Sequence, residues 1–319
     1  MSVNIVGYQV IKVISQGAFG YLYLISNIEA SKKYLANGIQ KKYYSEPKMK
    51  KYIDNEISIL KDVNHPNIIK LIDVKETLKH IYIITEYCNG GNLKEYLNIY
   101  KKLSEEIVQY IMKQVIEAMK YLHNKKIMHR NLKLNNILIN YDDENDRKNK
   151  NIMKGKIKII DFRTSRYLKK GEFAKTFLGT PLYMSPIMIN QLNEEIGYDE
   201  KEDIWSLGII CYELLIGKTP FDSYNQKELV SKINKGDYFV PTTLSKESIY
   251  FINCMLQFDP KKRLSIDELN KHTFLKKNVN VFNKIAINEL KNITILENSK
   301  ILINTKDNQN IYDNFGVGI

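Results

Sequence analysis

His129-Arg130-Asn131-Leu132-Lys133, followed by Asn136 and, 25 residues further on, by Asp161-Phe162-Arg163, is the stretch that decides how this chain folds. Just upstream, Ser104 is placed to cap a helix, with Glu105 and Glu106 in the first turn where carboxylates suit the helix dipole. Ile107, Ile111, Val115, Ala118 and Leu122 then keep helical spacing up to the quoted stretch. Between its two halves, Tyr141 to Gly155 is rich in Asn, Asp and Lys and reads as a flexible surface insertion. Downstream come Gly179-Thr180-Pro181, Ser185-Pro186 and Asp203-Ile204-Trp205-Ser206-Leu207-Gly208. Asp203 to Ile216 is apolar nearly all round, which predicts a buried central helix ending at Gly217, with Pro220 beyond. Ser265 and Glu268 form a capping-box pattern for a late helix.

Toward the N-terminus the pattern changes to short strands. Tyr8 to Leu24 places apolar residues around Gly17-Ala18-Phe19-Gly20, predicting two strands joined by a tight loop. Glycine there serves a hairpin as readily as it lets backbone approach a phosphate. Met49 to Asp62 is helical, with Ile53, Ile57 and Leu60 on one face, and Ile81 to Tyr87 is a further β-rich run. Lys276 to Ile319 is a polar tail with β-like pieces at Ile293–Leu296 and Lys300–Ile303.

The net charge of +12 raises nucleic acid or an anionic surface as partners, yet only Arg130, Arg147, Arg163, Arg166 and Arg263 among the 48 basic residues are arginine. Arginine is the side chain of phosphate forks and base edges, so its scarcity speaks against specific nucleic-acid readout. Cys88, Cys211 and Cys254 are widely separated and fit neither a disulfide framework nor metal-ligand spacing. Without a signal-peptide pattern at Met1–Val10 or an apolar run of membrane-spanning length, the chain is expected to be soluble and cytoplasmic.

The order and spacing of these motifs, from the glycine loop to Asp203, resemble the signature set of the eukaryotic protein kinases over about residues 8 to 275. Lys133 and Thr180 match the serine/threonine branch, and the pattern looks nearest to Unc-51-like or calcium/calmodulin-type kinases. The resemblance implies an α+β, bilobal fold. A small β-rich N-lobe with one key helix would occupy residues 1–86, and a larger, mainly helical C-lobe residues 87–275. The insertion lies at 141–155 and a tail without assigned role at 276–319. It also implies ATP and Mg²⁺ as cofactors. Asn136 and Asp161 match the magnesium-holding side chains, Glu56 the helix glutamate, and Gly17 and Gly20 the phosphate loop. Leu22, Ala36 and Leu138 match the residues that sandwich adenine; Thr85 matches the gatekeeper, and Glu86 to Cys88 the hinge. Leu60, Leu71, Phe162 and His129, anchored by Asp203, match the stacked spine.

Departures from the family pattern fall on phosphoryl transfer. Aligning Tyr34-Leu35-Ala36-Asn37-Gly38-Ile39 with the third strand puts Gly38 where the ATP lysine belongs, and neither Lys32 nor Lys42 reaches easily. Asn131 stands for the catalytic aspartate, and an amide lacks the basicity to take the substrate hydroxyl's proton. Arg163 replaces a glycine, which should restrict the loop, and it can alternatively reach a phosphate in the lysine's stead. Ile187 replaces the glutamate that pairs with the position of Arg263, leaving that arginine without its usual partner. Ser15 for the first loop glycine is a milder change, and Thr176 occupies a place where activating phosphates sit. Losing a base costs about 10²–10⁴ in rate and losing an electrostatic stabiliser about 10²–10³. The expectation is therefore a pseudokinase: a regulatory or scaffolding module, either nucleotide-responsive through retained ATP and Mg²⁺ binding or nucleotide-independent, that acts on a protein partner such as an active kinase. The alternative is an active or weakly active ATP-dependent serine/threonine kinase acting on protein substrates, which Asn136, Asp161, Arg130 and Thr180 keep open.

Overall fold

The computed structural model describes residues 4–29, 32–168, 181–190, 199–223, 225–236 and 238–276. Thr176, Gly179, Thr180 and the β-like tail pieces lie outside the described residues. The chain divides into two compact units: residues up to Ser45 with Ile72–Thr85, and Glu46–Leu71 with Glu86–Leu275.

The first unit is an antiparallel sheet built from β1 (Tyr8–Gly17), β2 (Gly20–Asn27), β3 (Lys33–Gln40), β4 (Leu71–Glu76) and β5 (His80–Glu86), in the order β1-β2-β3-β5-β4. A short helix, α1 (Lys41–Tyr44), follows β3. Alternation along the strands sends Tyr23, Ile25, Ala36, Tyr82 and Ile84 to one face, where they form a buried cluster with Ile5. Gly20 is fixed by close approach: a Cβ there would fall 1.8 Å from the Gly38 carbonyl oxygen.

The second unit begins with α2 (Pro47–Asp62), whose Ile53, Ile59 and Leu60 are buried. The Asn55 amide donates to the Ser165 carbonyl at 2.6 Å, and Lys125 and the Tyr167 hydroxyl both bond the Asp62 carboxylate. Next come α3 (Leu93–Tyr100), closed by a capping box at Asn92 and Glu95, and α4 (Glu105–Asn124). The α4 stripe through Val108, Ile111, Met112, Val115, Met119 and Leu122 is solvent-free, as its periodicity predicts. Ser104 does sit at the N-cap, but its side chain makes no capping bond. The segment that reads as a flexible insertion is instead folded. α5 (Glu144–Lys148) is capped by the Asp143 carboxylate, which accepts from the N–H groups of Asn145 and Asp146. Tyr141 and Ile152 on either side are buried and anchor it. The polar composition belongs to its exposed turn, and two apolar residues suffice to pin the ends.

α6 (Pro186–Ile189) precedes α7 (Lys201–Ile216), which is buried on almost every side and stops at Gly217 with φ +90°. The remaining helices are α8 (Gln226–Lys235), α9 (Lys246–Met255) and α10 (Ile266–Asn270); α9 packs on α7 and α10 on α4. The Ser265/Glu268 capping box forms as predicted. Trp205 of α7 stacks on Phe221 at 5.7 Å and lies under the Arg263 guanidinium at 5.2 Å. Arg263 is not left without an ion partner. Its Nη1 meets the Glu202 carboxylate at 2.9 Å in a pair almost closed to solvent, and other bonds run to the carbonyls of Lys201 and Gln257. A carboxylate one residue before Asp203 thus does for Arg263 what Ile187 cannot.

Candidate functional site

Two short ladders hold the decisive motifs. β6 (Ile127–Met128) enters the loop that starts at His129, and β7 (Ile137–Asn140) leaves it. β8 (Lys156–Ile159) leads to Asp161, and β9 (Arg166–Tyr167) follows. β6 pairs with β9 through Met128 and Arg166, and β7 with β8 through Ile137 and Ile159. Both ends of both loops are therefore tied together, and sequence positions some 30 apart meet at hydrogen-bond distance. Beneath them, the buried Asp203 carboxylate accepts the N–H groups of His129 and Arg130, each at 2.9 Å, with His123 Nε2 also at 2.9 Å. Burial works to raise the Asp203 carboxyl, but His123, His129 and the Arg130 N–H hold it below the ordinary range. Arg130 and Asp161 both sit at left-handed φ, +68° and +69°, a conformation that side-chain-bearing residues keep only where the surroundings enforce it. The His129 ring meets the Phe162 ring edge-on at 5.1 Å, and both side chains are fully buried.

At the centre is the Asp161 carboxylate. Its Oδ2 accepts from Asn131 Nδ2 at 2.9 Å and from Asn136 Nδ2 at 3.3 Å; its Oδ1 accepts from Arg163 Nε at 3.1 Å. Asn136 Nδ2 also donates to the Asn131 carbonyl at 2.8 Å, which fixes the amide nitrogen toward Asp161. Burial would raise the Asp161 carboxyl, but Arg163, His129 and Lys133 more than offset it and keep the group ionised. Burial pulls the Lys133 ammonium below its usual range, and the Asp161 charge opposes that. Glu56 of α2 belongs to the same electrostatic cluster. Burial pushes its carboxyl up to about 7, Arg163 works against the rise, and Asp161 adds to it. Its Oε2 is enclosed without a hydrogen-bond partner.

Magnesium does not fit this arrangement. A carboxylate offers about four lone-pair sites, and three of those on Asp161 are given to protein donors. The cation beside it is a guanidinium. The Asn131 amide directs a hydrogen at Asp161, so it neither takes a proton nor presents a lone pair there.

The other residues singled out from the sequence divide between the units. In the second unit Glu86 pairs with the buried Lys158 at 2.6 Å and donates its N–H to the Lys70 carbonyl. Burial raises the Cys88 thiol to about 12, and Leu138 pairs with Lys158 in the β7–β8 ladder. In the first unit Gly17 and Gly20 close the β1–β2 turn. Leu22 lies opposite Asn37, whereas Ala36 lies opposite Tyr23 and Gly38 opposite Tyr21. Directly opposed residues of an antiparallel pair share a face. Leu22, Leu35 and Asn37 are therefore on one face, and strand alternation in β5 puts Thr85 on the side away from Tyr82 and Ile84. Ala36 and Gly38 belong to the opposite, tyrosine-lined face: a Cβ on Gly38 would come within 2.7 Å of Tyr82 Cε1 and 3.0 Å of Tyr23 Cε2. Strand pairing therefore puts Leu35 and Asn37, rather than Ala36 and Gly38, on the face of Leu22. The pattern still has no lysine there. On that face the nearest strand lysine is Lys33, four residues before Asn37 and opposite Ser26; Lys41 pairs with Glu76, and Lys32 and Lys42 lie over the rings of Tyr34 and Tyr43.

A strand-rich unit followed by a helical one, with a His-Arg-Asn loop laddered against an Asp-Phe-Arg loop, is the architecture of the protein kinases. The sequence matches the protein kinase domain family over residues 8–275, and the chain belongs to that family, with relatives in its serine/threonine branch. It is similar to the probable serine/threonine-protein kinase MARK-A of Dictyostelium discoideum (32% identity over 95% of this chain and 27% of that protein). It is also similar to the human serine/threonine-protein kinase ULK1 (38%, 70% and 21%) and to atg1 of Dictyostelium discoideum (33%, 84% and 39%). The chain thus spans between about a fifth and two fifths of the length of these relatives. Among the described residues no helix is long and apolar enough to cross a membrane.

Proposed function

We propose that this kinase domain is a pseudokinase, a nucleotide-responsive module that regulates or scaffolds a protein partner, for instance an active kinase, without transferring phosphate itself. The observation that carries this reading is the Asn131-to-Asp161 bond at 2.9 Å, reinforced by Arg163 at 3.1 Å. The group in the place of the base is an amide hydrogen-bonded to the residue in the place of the metal ligand. A positioned base contributes about 10²–10⁴ in rate, and an amide contributes none of it. The ordered loops, the buried Asp203 anchor and the intact α2 support a domain kept for its shape. The cytoplasm is the setting that three separate thiols suit.

The test restores the chemistry stepwise. Asn37→Lys, Asn131→Asp and Arg163→Gly are combined, and transfer of labelled γ-phosphate to a generic basic protein is followed. The triple variant is expected to gain transfer over the parent chain. A parent chain already as active as the triple variant overturns the reading.

A further inference from the structure

We propose that Arg163 is the resident cation of this site, so that the domain takes its nucleoside triphosphate as the metal-free polyanion. The proposal rests on the reading of the chain as a nucleotide-responsive pseudokinase, and it specifies the form of the ligand.

Three observations converge on it. The first is occupancy of the acceptor. Magnesium needs near-octahedral oxygen ligands at about 2.0–2.1 Å, with one or two carboxylates among them. The Asp161 oxygens are turned instead toward Asn131, Asn136 and Arg163 in a pocket that leaves the aspartate side chain 8% exposed. Admitting the ion means breaking a largely buried ion pair and displacing the Asn131 amide from Asp161 Oδ2.

The second is charge. Asp161, Arg163 and Lys133 sum to +1. With aspartate at 131 and glycine at 163, as in the family pattern, the same positions sum to −1; Glu56 is common to both counts. The two replacements shift these positions by +2 and the absent ATP lysine takes back one, which leaves the site one charge more positive than the family pattern. The added positive charge favours a polyanionic phosphate at this site.

The third is the chemistry of the replacement. A guanidinium is always charged, weakly hydrated and matched to phosphate oxygens, so it substitutes for the metal's electrostatic role without a water shell to shed. Asp161 holds it in place through Nε.

The experiment measures binding of a fluorescent ATP analogue to the full chain in excess EDTA and in millimolar magnesium, for the parent and for Arg163→Gly. The parent is expected to bind equally well in both, within about twofold. Arg163→Gly should bind at least about tenfold more weakly in EDTA, as loss of a charge-assisted contact implies, and should recover with magnesium. Binding by the parent only when magnesium is present refutes the proposal, as does the absence of binding in both buffers. If Arg163→Gly does not fold, the parent's magnesium dependence alone decides. Phosphotransfer is assayed in the same samples: magnesium-dependent binding without transfer sinks this proposal and leaves the pseudokinase reading standing, whereas transfer sinks that reading.

Discussion

Gly38→Ala should destabilise the protein, although glycine in a strand interior is ordinarily worth replacing. In an unconstrained strand the change gains about 0.5–1 kcal/mol by reducing the entropy of the unfolded chain. Here the new methyl would lie 2.7 Å from Cε1 and 3.0 Å from Cδ1 of Tyr82, and 3.0 Å from Cε2 of Tyr23. Tyr82 and Tyr23 are 2% and 4% exposed, and their rings lie 6.3 Å apart within one cluster, so neither ring has room to swing. Overpacking of this kind costs about 1–3 kcal/mol, giving a net loss of up to about 2.5 kcal/mol. Thermal unfolding followed by circular dichroism should show a midpoint lower by several degrees, at about 2–4 °C per kcal/mol. Asn37→Ala, one residue away on the other face, is the control and should shift the midpoint by much less. A Gly38→Ala protein more stable than the parent, with Asn37→Ala the damaging change, would refute the face assignment.

Other predictions follow from buried charge. The folded state raises Glu56 from an ordinary 4.5 to about 7, so between those values the folded chain holds a proton that the unfolded chain has released. Stability must therefore fall as pH rises through that window, by up to about 3 kcal/mol at about 1.4 per unit, and level off above it. Glu56→Gln should flatten the slope in urea titrations at pH 5 and pH 8, gaining most at the higher value; parallel profiles for the two proteins would contradict this. Glu202→Ala leaves the 2%-exposed Arg263 unpaired and should cost about 3–5 kcal/mol in the same titrations. A loss below about 1 kcal/mol would mean that the carbonyls around Arg263 suffice for it.

Much of this was legible in the residues, and what was not has identifiable physical causes. Elements with strong periodicity or caps, such as α2, α4, α7 and the Ser265/Glu268 turn, follow from local pattern because local pattern is what stabilises them. The two motif loops were readable as a pair, and the ladders between β6–β9 and β7–β8 bring them together as that pairing requires. Strand register is different. Tyr34-Leu35-Ala36-Asn37-Gly38-Ile39 carries small or polar residues on both faces, and a slip of one residue exchanges them. Only pairing with Tyr21, Leu22 and Tyr23 chooses between the two. The Glu202–Arg263 bond spans 61 residues, beyond any local signal. One hint existed: a glutamate on a helix apolar nearly all round, and an arginine deprived of its family partner, each needed an opposite charge. Arg163 was visible as a substitution, but its contact was not, because one side chain can turn to solvent, phosphate or Asp161, and the buried negative field of Asp161 and Glu56 decides.

The central claim is that Asp161 is occupied by the protein's own amides and guanidinium, and so no longer serves phosphoryl transfer. It is tested most directly by incubating the purified chain with γ-labelled ATP and magnesium, beside an Asp161→Ala variant, and counting label on the chain and on a generic protein substrate. Background incorporation, identical in the two proteins, is the result predicted here. Incorporation above background in the parent that Asp161→Ala abolishes would contradict the account and show a working kinase with rebuilt chemistry.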